Sequence, residues 1–221
     1  MKLAVLGATG GTGRQIVEQA LKAGHSVTAI GRRPDAFDSA ILDHPKFKSY
    51  KGDVFSAKSL EERFRGVDAV LSALGPSTVA AGLKWTHTLY RDSARALVDA
   101  MRACGVRRLV VCGGICTYVD HTVPWHFALF TRMVRLVSGY VDDLYRMEEY
   151  FVTQKYDIDF TCVRVPSLTN GPQTDTEIAA ADDRQMVVGK SYFMSRADVA
   201  RYMLLCVETE RHCGECVAIA V

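Results

Sequence analysis

The 221-residue chain lacks long apolar runs and contains a single asparagine. No stretch reaches the roughly 18 apolar residues that a membrane-spanning helix needs. The first apolar run, Leu3 to Leu6, is also too short for the core of a signal peptide. The one asparagine, Asn170, precedes Gly171 and Pro172, so no glycosylation sequon indicates secretion. We therefore expect a cytoplasmic protein with no membrane partner.

An excess of charge of one sign is missing as well. The chain has 27 Lys plus Arg against 25 Asp plus Glu, a net charge of +2. Such a balance creates no field over the whole molecule that would gather nucleic acid, so we expect no nucleic-acid partner. Hydrophobic residues make up 48% and charged residues 24%, as in soluble globular proteins. We expect one domain over residues 1–221, acting as a monomer.

The cysteines give little indication of disulfides or metal. There are seven, an odd number, and several lie in apolar runs, which predicts reduced thiols in the core. Cys213 and Cys216 have the spacing of a redox motif, but they precede a terminal strand instead of opening a helix. His212 beside them has no second pair of ligands, so no metal site is predicted.

Short apolar runs alternate with helical patterns along the chain. Lys2 to Leu6 reads as a strand, and the pattern after it indicates a helix that ends near Gly24. Ser195 and Asp198 form a capping box at the start of a late helix. Further strands are predicted at 26–30, 69–74, 109–112 and 160–165, an edge strand at 216–221, and an exposed loop at 171–183. This alternation predicts an α/β protein with a doubly wound parallel sheet.

A glycine-rich motif lies directly after the first strand and opens the first helix. Gly7 suits a tight turn, Gly10 allows close approach of the backbone to a pyrophosphate, and Gly13 allows the helix to pack on the strand. This context predicts a Rossmann-type dinucleotide site, and the alternative is a glycine-rich turn without a ligand. The motif residues predicted to bind the cofactor are Gly7, Thr9, Gly10, Gly11, Thr12 and Gly13.

Two arginines follow the second strand, where an NAD-binding protein would place an acidic residue for the ribose hydroxyls. Guanidinium groups pair with a phosphate through charge and forked hydrogen bonds. Arg32 and Arg33 therefore favour NADP over NAD, with NADPH as the preferred reduced form. The alternative is a solvated pair of surface charges.

Asp53-Val54 and Leu74-Gly75 follow later strands, and with the glycine motif they resemble the atypical and extended short-chain dehydrogenase/reductases. In those proteins the Asp-Val pair frames the adenine and the glycine after the strand lies along the cofactor. The segments 142–147, 163–172 and 195–200 narrow the resemblance to the biliverdin-IXβ reductase / NADPH-flavin reductase family. This branch borders on nitrogen-metabolite-repressor-like proteins, which bind a dinucleotide without known turnover.

The resemblance implies where the nicotinamide and the acceptor lie. The nicotinamide would lie against Cys112, Gly113, Gly114 and Pro166. The family usually offers a Ser and a His beside the substrate, and the matching residues here are Gly114 and Ser167. Ser167 is a weak catalytic candidate and a substrate contact, with a plain turn residue as the alternative.

The sequence has no Tyr followed four residues later by Lys, the pair with which ordinary short-chain dehydrogenases transfer a proton. Direct hydride transfer to a small planar acceptor, such as a flavin, biliverdin (a tetrapyrrole) or a quinone-like molecule, needs mainly positioning. The alternative function is an NADP-sensing regulatory protein without turnover. Flat apolar side chains suit a planar acceptor, although aromatic residues at helical spacing are commonly core. The residues predicted to contact the acceptor are Ser77, Ile115, Tyr118, Trp125, Phe127 and Ser167.

Overall fold

The computed structural model describes residues 1–76, 88–115, 117–121, 123–154, 157–183 and 185–221. Its centre is an eight-stranded sheet in the order β3-β2-β1-β4-β5-β6-β10-β8, and β7 pairs with β9 in a separate two-stranded sheet. The strands are β1 (Lys2–Leu6), β2 (Ser26–Gly31), β3 (Phe47–Lys51), β4 (Ala69–Ser72), β5 (Arg108–Gly114), β6 (Asp159–Val165), β7 (Ser167–Thr169), β8 (Ala179–Asp182), β9 (Phe193–Ser195) and β10 (Glu215–Ala220).

Helices cover both faces of the large sheet. The described helices are α1 (Gly11–Lys22), α2 (Ser39–Leu42), α3 (Ala57–Phe64), α4 (Leu89–Cys104), α5 (Trp125–Val137), α6 (Tyr140–Thr153) and α7 (Arg196–Thr209). One apolar core lies between the sheet and α1 with α7, and the other lies beneath α3, α4 and α6. None of the helices in the described ranges is long and apolar enough to cross a membrane.

The pairing pattern confirms the predicted doubly wound, Rossmann-type sheet. All neighbouring strands of the large sheet are parallel except β8, which runs antiparallel to β10. The strand order reverses between β1 and β4, because the chain first builds outward through β2 and β3 and then in the other direction. A crevice at the carboxyl ends of the strands is where such sheets bind ligands.

The C-terminal part differs from the sequence prediction in two places. The predicted edge strand at 216–221 is an interior strand, because β10 is flanked by both β6 and β8. The predicted loop at 171–183 ends in β8, whose pairing supplies the second neighbour. The capping prediction is confirmed, since the Ser195 Oγ accepts a hydrogen bond from the Asp198 amide at 3.0 Å.

The predicted character of the cysteines also needs one correction. The six cysteines in the described ranges are free, but Cys213 is exposed and so is not a core thiol. Cys213 stands in the turn before β10, where the side chain points to the surface, whereas Cys216 lies within the strand and is buried. The seventh, Cys116, lies outside the described residues.

Candidate functional site

The turn between β1 and α1 requires glycine at two positions for different reasons. Gly7 has a φ of +70°, and a Cβ on it would lie 2.4 Å from the Ala73 carbonyl oxygen. A Cβ on Gly13 would lie 2.1 Å from the Gly7 carbonyl oxygen, so the helix can approach the turn only without a side chain there. The turn is closed by a 2.9 Å hydrogen bond from the Gly10 amide to the same oxygen.

The start of α1 offers a surface suited to an anion. Gly10 is the N-cap, and the first turn carries no acidic side chain. The first amides of a helix have no intrahelical acceptor, and the helix dipole adds partial positive charge there. A Cβ on Gly10 would meet only the Gly7 carbonyl oxygen, at 3.2 Å, so the space above the turn is otherwise open. Thr12 is buried and Thr9 is half-buried at its edge.

The two predicted arginines lie at the carboxyl end of β2, beside this turn. Arg32 and Arg33 are both exposed. Across the described ranges, neither forms an ion pair or a side-chain hydrogen bond. Arg33 lines a small cleft together with Thr9 and Gly31. The structure thus brings Arg33, one residue of the predicted 2′-phosphate pair, next to the glycine turn.

The loop that carries these arginines is fastened to α1. Arg14 donates from Nη1 to the Asp38 carboxylate at 2.9 Å and from Nη2 to the Ala36 carbonyl oxygen at 2.7 Å. Its guanidinium also lies 5.8 Å from the centre of the Phe37 ring, in the range of a cation–π contact. The loop after β2 is therefore held at a fixed distance from the start of α1.

The residues predicted to frame the adenine follow β3. The Asp53 carboxylate accepts a 3.0 Å hydrogen bond from the Phe55 amide, and its own amide donates to the Ser59 Oγ at 3.1 Å. These bonds fix the turn, while the Asp53 side chain stays exposed and Val54 is half-buried. After β4, Leu74 packs against the core and Gly75 is exposed. Both pairs reach the crevice edge of the sheet.

The last residues of β5 are small because their neighbours are close. A Cβ on Gly113 would lie 2.7 Å from the Cys162 Sγ, and one on Gly114 would lie 3.3 Å from a methyl carbon of Leu144. Gly113 is therefore required by the core, and the space that Gly114 leaves faces α6. Burial raises the pKa of the Cys112 thiol to about 12, against the opposing charge of Arg196, so this thiol stays protonated at neutral pH.

The hydroxyl groups of Tyr90 and Tyr140 lie together near Gly75, after β4, and no sequence pattern identified them. The Tyr90 hydroxyl would lie 3.8 Å from a Cβ on Gly75, and it is 3.4 Å from the Tyr140 hydroxyl. Burial raises the pKa of both phenols, so both are neutral at physiological pH. Neither tyrosine has a lysine four residues later, so the pattern that usually identifies a catalytic tyrosine gave no signal.

A buried ion pair between Glu148 and Arg164 lies against the end of β5. The Glu148 Oε2 accepts from Arg164 Nη2 at 2.9 Å and from the Thr117 hydroxyl at 3.1 Å. Both charged side chains are only 4% exposed. The Glu148 Oε1 has no hydrogen-bond partner in the described part of the chain, and it would lie 3.4 Å from a Cβ on Gly113. No short spacing in the sequence indicates this pair.

Part of the predicted acceptor wall comes together as an apolar cluster. Ile115 and Phe127 pack with Val123 and Met186, and the Phe127 ring lies 4.7 Å from the ring of Tyr192, which the sequence analysis did not identify. The exposed Ser167 joins this cluster through its amide, which donates to the Tyr192 carbonyl oxygen at 3.0 Å. Pro166 before it is buried.

Two other predicted acceptor contacts, Trp125 and Tyr118, are not in the cluster. Trp125 is 79% exposed at the start of α5. The Tyr118 ring instead faces Tyr145 and lies 5.4 Å from the Arg164 guanidinium. Ser77 lies outside the described residues.

His212 and two carboxylates form a separate group at the opposite edge of the sheet, where β10 begins. The His212 Nδ1 is 2.7 Å from the Asp182 carboxylate and 3.3 Å from that of Glu215. Its Nε2 lies 2.9 Å from the Tyr202 hydroxyl. The three are ligand types close enough to hold a metal, yet the contacts present already pair the imidazole with both carboxylates. Because β10 is parallel to β6, this group lies away from the crevice.

Comparison with known proteins places this geometry in context. A family model described as NAD(P)H-binding matches residues 7–210. The uncharacterised Bacillus subtilis protein YwnB is 34% identical over 117 residues, which cover 52% of this chain and 47% of that protein. The chain spans less than half the length of the curated relatives it matches.

Two solved structures have the same fold over the whole chain. One is a wide-type short-chain dehydrogenase/reductase from Veillonella parvula in complex with NADP, with a TM-score of 0.81, 15% identity, and coverage of 100% of this chain and 94% of that chain. The other is a candidate NADH-flavin reductase from Streptococcus pneumoniae, with a TM-score of 0.74, 22% identity, and coverage of 100% and 99%.

Proposed function

Because the chain belongs to the NAD(P)H-binding family, we propose that it is an NADPH-dependent reductase that passes hydride to a planar acceptor. The acceptor class is a flavin, biliverdin or a quinone-like molecule. The observation that carries the proposal is the pair Arg32 and Arg33, exposed and without acid partners in the described ranges, beside an open glycine turn. A pair of unneutralised guanidinium groups at this place suits a phosphate.

The part of the site proposed for the cofactor lies at the carboxyl ends of β1 to β4. The open space at Gly10 and the first amides of α1 suit the pyrophosphate. Asp53 and Val54 would hold the adenine, and Leu74 with Gly75 would lie along the cofactor. Arg32 and Arg33 would hold the 2′-phosphate that distinguishes NADPH from NADH.

The part of the site proposed for the acceptor lies near the carboxyl ends of β5 and β6. Ile115, Phe127 and Tyr192 offer flat apolar surface, which a planar tricycle or tetrapyrrole needs. Ser167 is exposed at the edge of this surface and can donate a hydrogen bond to an acceptor oxygen or nitrogen. A side chain at Gly114 would crowd α6, because its Cβ would lie 3.3 Å from Leu144.

The residues of the chain contribute chiefly positioning. When bound, the nicotinamide cofactor would supply the hydride. Cys112 remains a neutral thiol and so is not a nucleophile at neutral pH. The pKa values of the Tyr90 and Tyr140 phenols are raised, so both keep their protons at neutral pH, and neither suits a role in abstracting a proton.

The test is oxidation of NADPH and NADH by the purified protein, with flavin mononucleotide, biliverdin or menadione added, followed by nicotinamide absorbance. We expect oxidation that depends on an added acceptor and is faster with NADPH. The control is the same mixture without acceptor. Tight NADPH binding with all three acceptors inert would contradict the reductase and favour the NADP-sensing alternative.

A further inference from the structure

Gly11 is the one glycine of the motif whose role the turn itself does not explain. A Cβ on Gly11 would instead lie 2.5 Å from the Cδ and 2.8 Å from the Nε of Arg196, a residue 185 positions later in the chain. The side chain of Arg196 therefore lies directly over the first residue of α1.

Two helix starts meet at this contact. Gly11 begins α1, and Arg196 begins α7. Both helices pack on the same face of the sheet, and the Gln19 side chain of α1 donates to the Ala197 carbonyl oxygen of α7 at 2.9 Å. The Arg196 side chain therefore lies beside the positive end of the α1 dipole, above the glycine turn.

Arg196 is anchored but not neutralised. Its Nη1 donates to the Asn170 Oδ1 at 2.6 Å. Within the described part of the chain this is its one hydrogen-bond acceptor, and no carboxylate forms an ion pair with it. A guanidinium has five N–H donors, so most of them remain available to a ligand.

We propose that Arg196 is a pyrophosphate-binding residue, placed beside the first amides of α1. This rests on the proposed function, because it assumes that a dinucleotide occupies the crevice. The planar guanidinium of Arg196 can donate two parallel hydrogen bonds to phosphate oxygens. Gly11 is glycine because a side chain there would push Arg196 away from the phosphates.

The test compares dissociation constants of NADPH, NADH and 2′-AMP for the wild type and Arg196→Ala, measured by calorimetry. The pyrophosphate is common to NADPH and NADH, so Arg196→Ala should weaken both by a similar factor, on the order of tenfold or more. 2′-AMP carries the 2′-phosphate without a pyrophosphate, so its affinity should not change. Arg196→Lys keeps the charge and should recover part of the loss.

Lys22→Ala is the matched control, because it removes one positive charge at the far end of α1 and should change none of the three affinities. Unchanged NADPH affinity in Arg196→Ala would overturn the inference while leaving the proposed function intact. A parallel loss of 2′-AMP affinity would also overturn it, since the variant would then have damaged the whole site. Failure of the wild type to bind either dinucleotide would overturn the proposed function itself and the inference with it.

A double-mutant cycle tests the link between Gly11 and Arg196. Gly11→Ala should weaken NADPH by displacing the arginine, so adding it to Arg196→Ala should cause little further loss. Two fully additive losses would show that the methyl group blocks the ligand directly, and would overturn the explanation of Gly11.

Discussion

Two residues, Arg32 and Arg33, are predicted to determine the choice between NADPH and NADH. Replacing both with alanine is expected to weaken NADPH binding by on the order of 10- to 100-fold, the range for losing charge-assisted hydrogen bonds to a phosphate. NADH has no 2′-phosphate, so its affinity should stay close to that of the wild type. Titration of both dinucleotides against the double variant measures the difference.

The control for this prediction is the double variant Lys2→Ala/Lys22→Ala. It removes the same charge from the amino edge of the sheet, where β1 begins and α1 ends. Its NADPH affinity should equal that of the wild type. An equal loss of affinity for NADPH and NADH in the arginine variant would disprove the 2′-phosphate assignment. The two arginines would then be ordinary surface charges.

Single residues were predictable where a local pattern determines their surroundings. The roles of Gly7 and Gly13 follow from motif spacing, because both act within one turn of chain. The Glu148–Arg164 pair was missed because its partners lie on α6 and β6 and no short spacing indicates that they meet. Tyr192 was missed for the same reason, since its contact with Phe127 joins segments 65 residues apart.

The turn between β1 and α1 supports a prediction at the scale of an element. Gly13→Ala puts a methyl group within 2.1 Å of the Gly7 carbonyl oxygen, so helix and strand must separate. Gly10→Ala meets only a 3.2 Å contact with the same oxygen. We expect Gly13→Ala to lose about 3 kcal/mol or more of unfolding free energy and Gly10→Ala to lose under about 1 kcal/mol. Urea unfolding measures both.

The same pair of variants separates folding from binding. Gly10→Ala should fold normally yet bind NADPH poorly, because its methyl group fills the open space above the turn. Wild-type NADPH affinity in a well-folded Gly10→Ala variant would argue against a pyrophosphate at this position. The two variants serve as controls for each other, since both add one methyl group to the same turn.

Individual strands and helices were predictable from the periodicity of apolar residues. Which strands pair with each other in the sheet was less predictable. The parallel strands and α1 follow from short apolar runs and helical spacing. The position of β10 between β6 and β8 was not predicted, because β8 is a four-residue alanine-rich strand without a strong apolar pattern. The aromatic-rich stretch after β5 gave no clear division into α5 and α6, since apolar residues occur around much of α5, including the exposed Trp125 and Leu136.

At the scale of the whole molecule, the candidate site exists only when the sheet is complete. Its parts lie at the carboxyl ends of β1 to β6, and Arg196 is added from the start of α7. These segments come from nearly the full length of the chain, so a partly unfolded chain cannot assemble them. A ligand that binds only the assembled crevice must therefore stabilise the entire fold against unfolding.

This coupling predicts a rise in melting temperature with NADPH. At a free concentration 100 times the dissociation constant, binding adds about 2.7 kcal/mol, or about 5–11 °C for a chain of this size. NADH at the same concentration should give a smaller shift, because it lacks the 2′-phosphate. The Arg32→Ala/Arg33→Ala variant should lose most of the NADPH shift and keep that of NADH, whereas Lys2→Ala/Lys22→Ala should keep both. Equal shifts with the two dinucleotides in the wild type would show that the arginine pair does not select the cofactor.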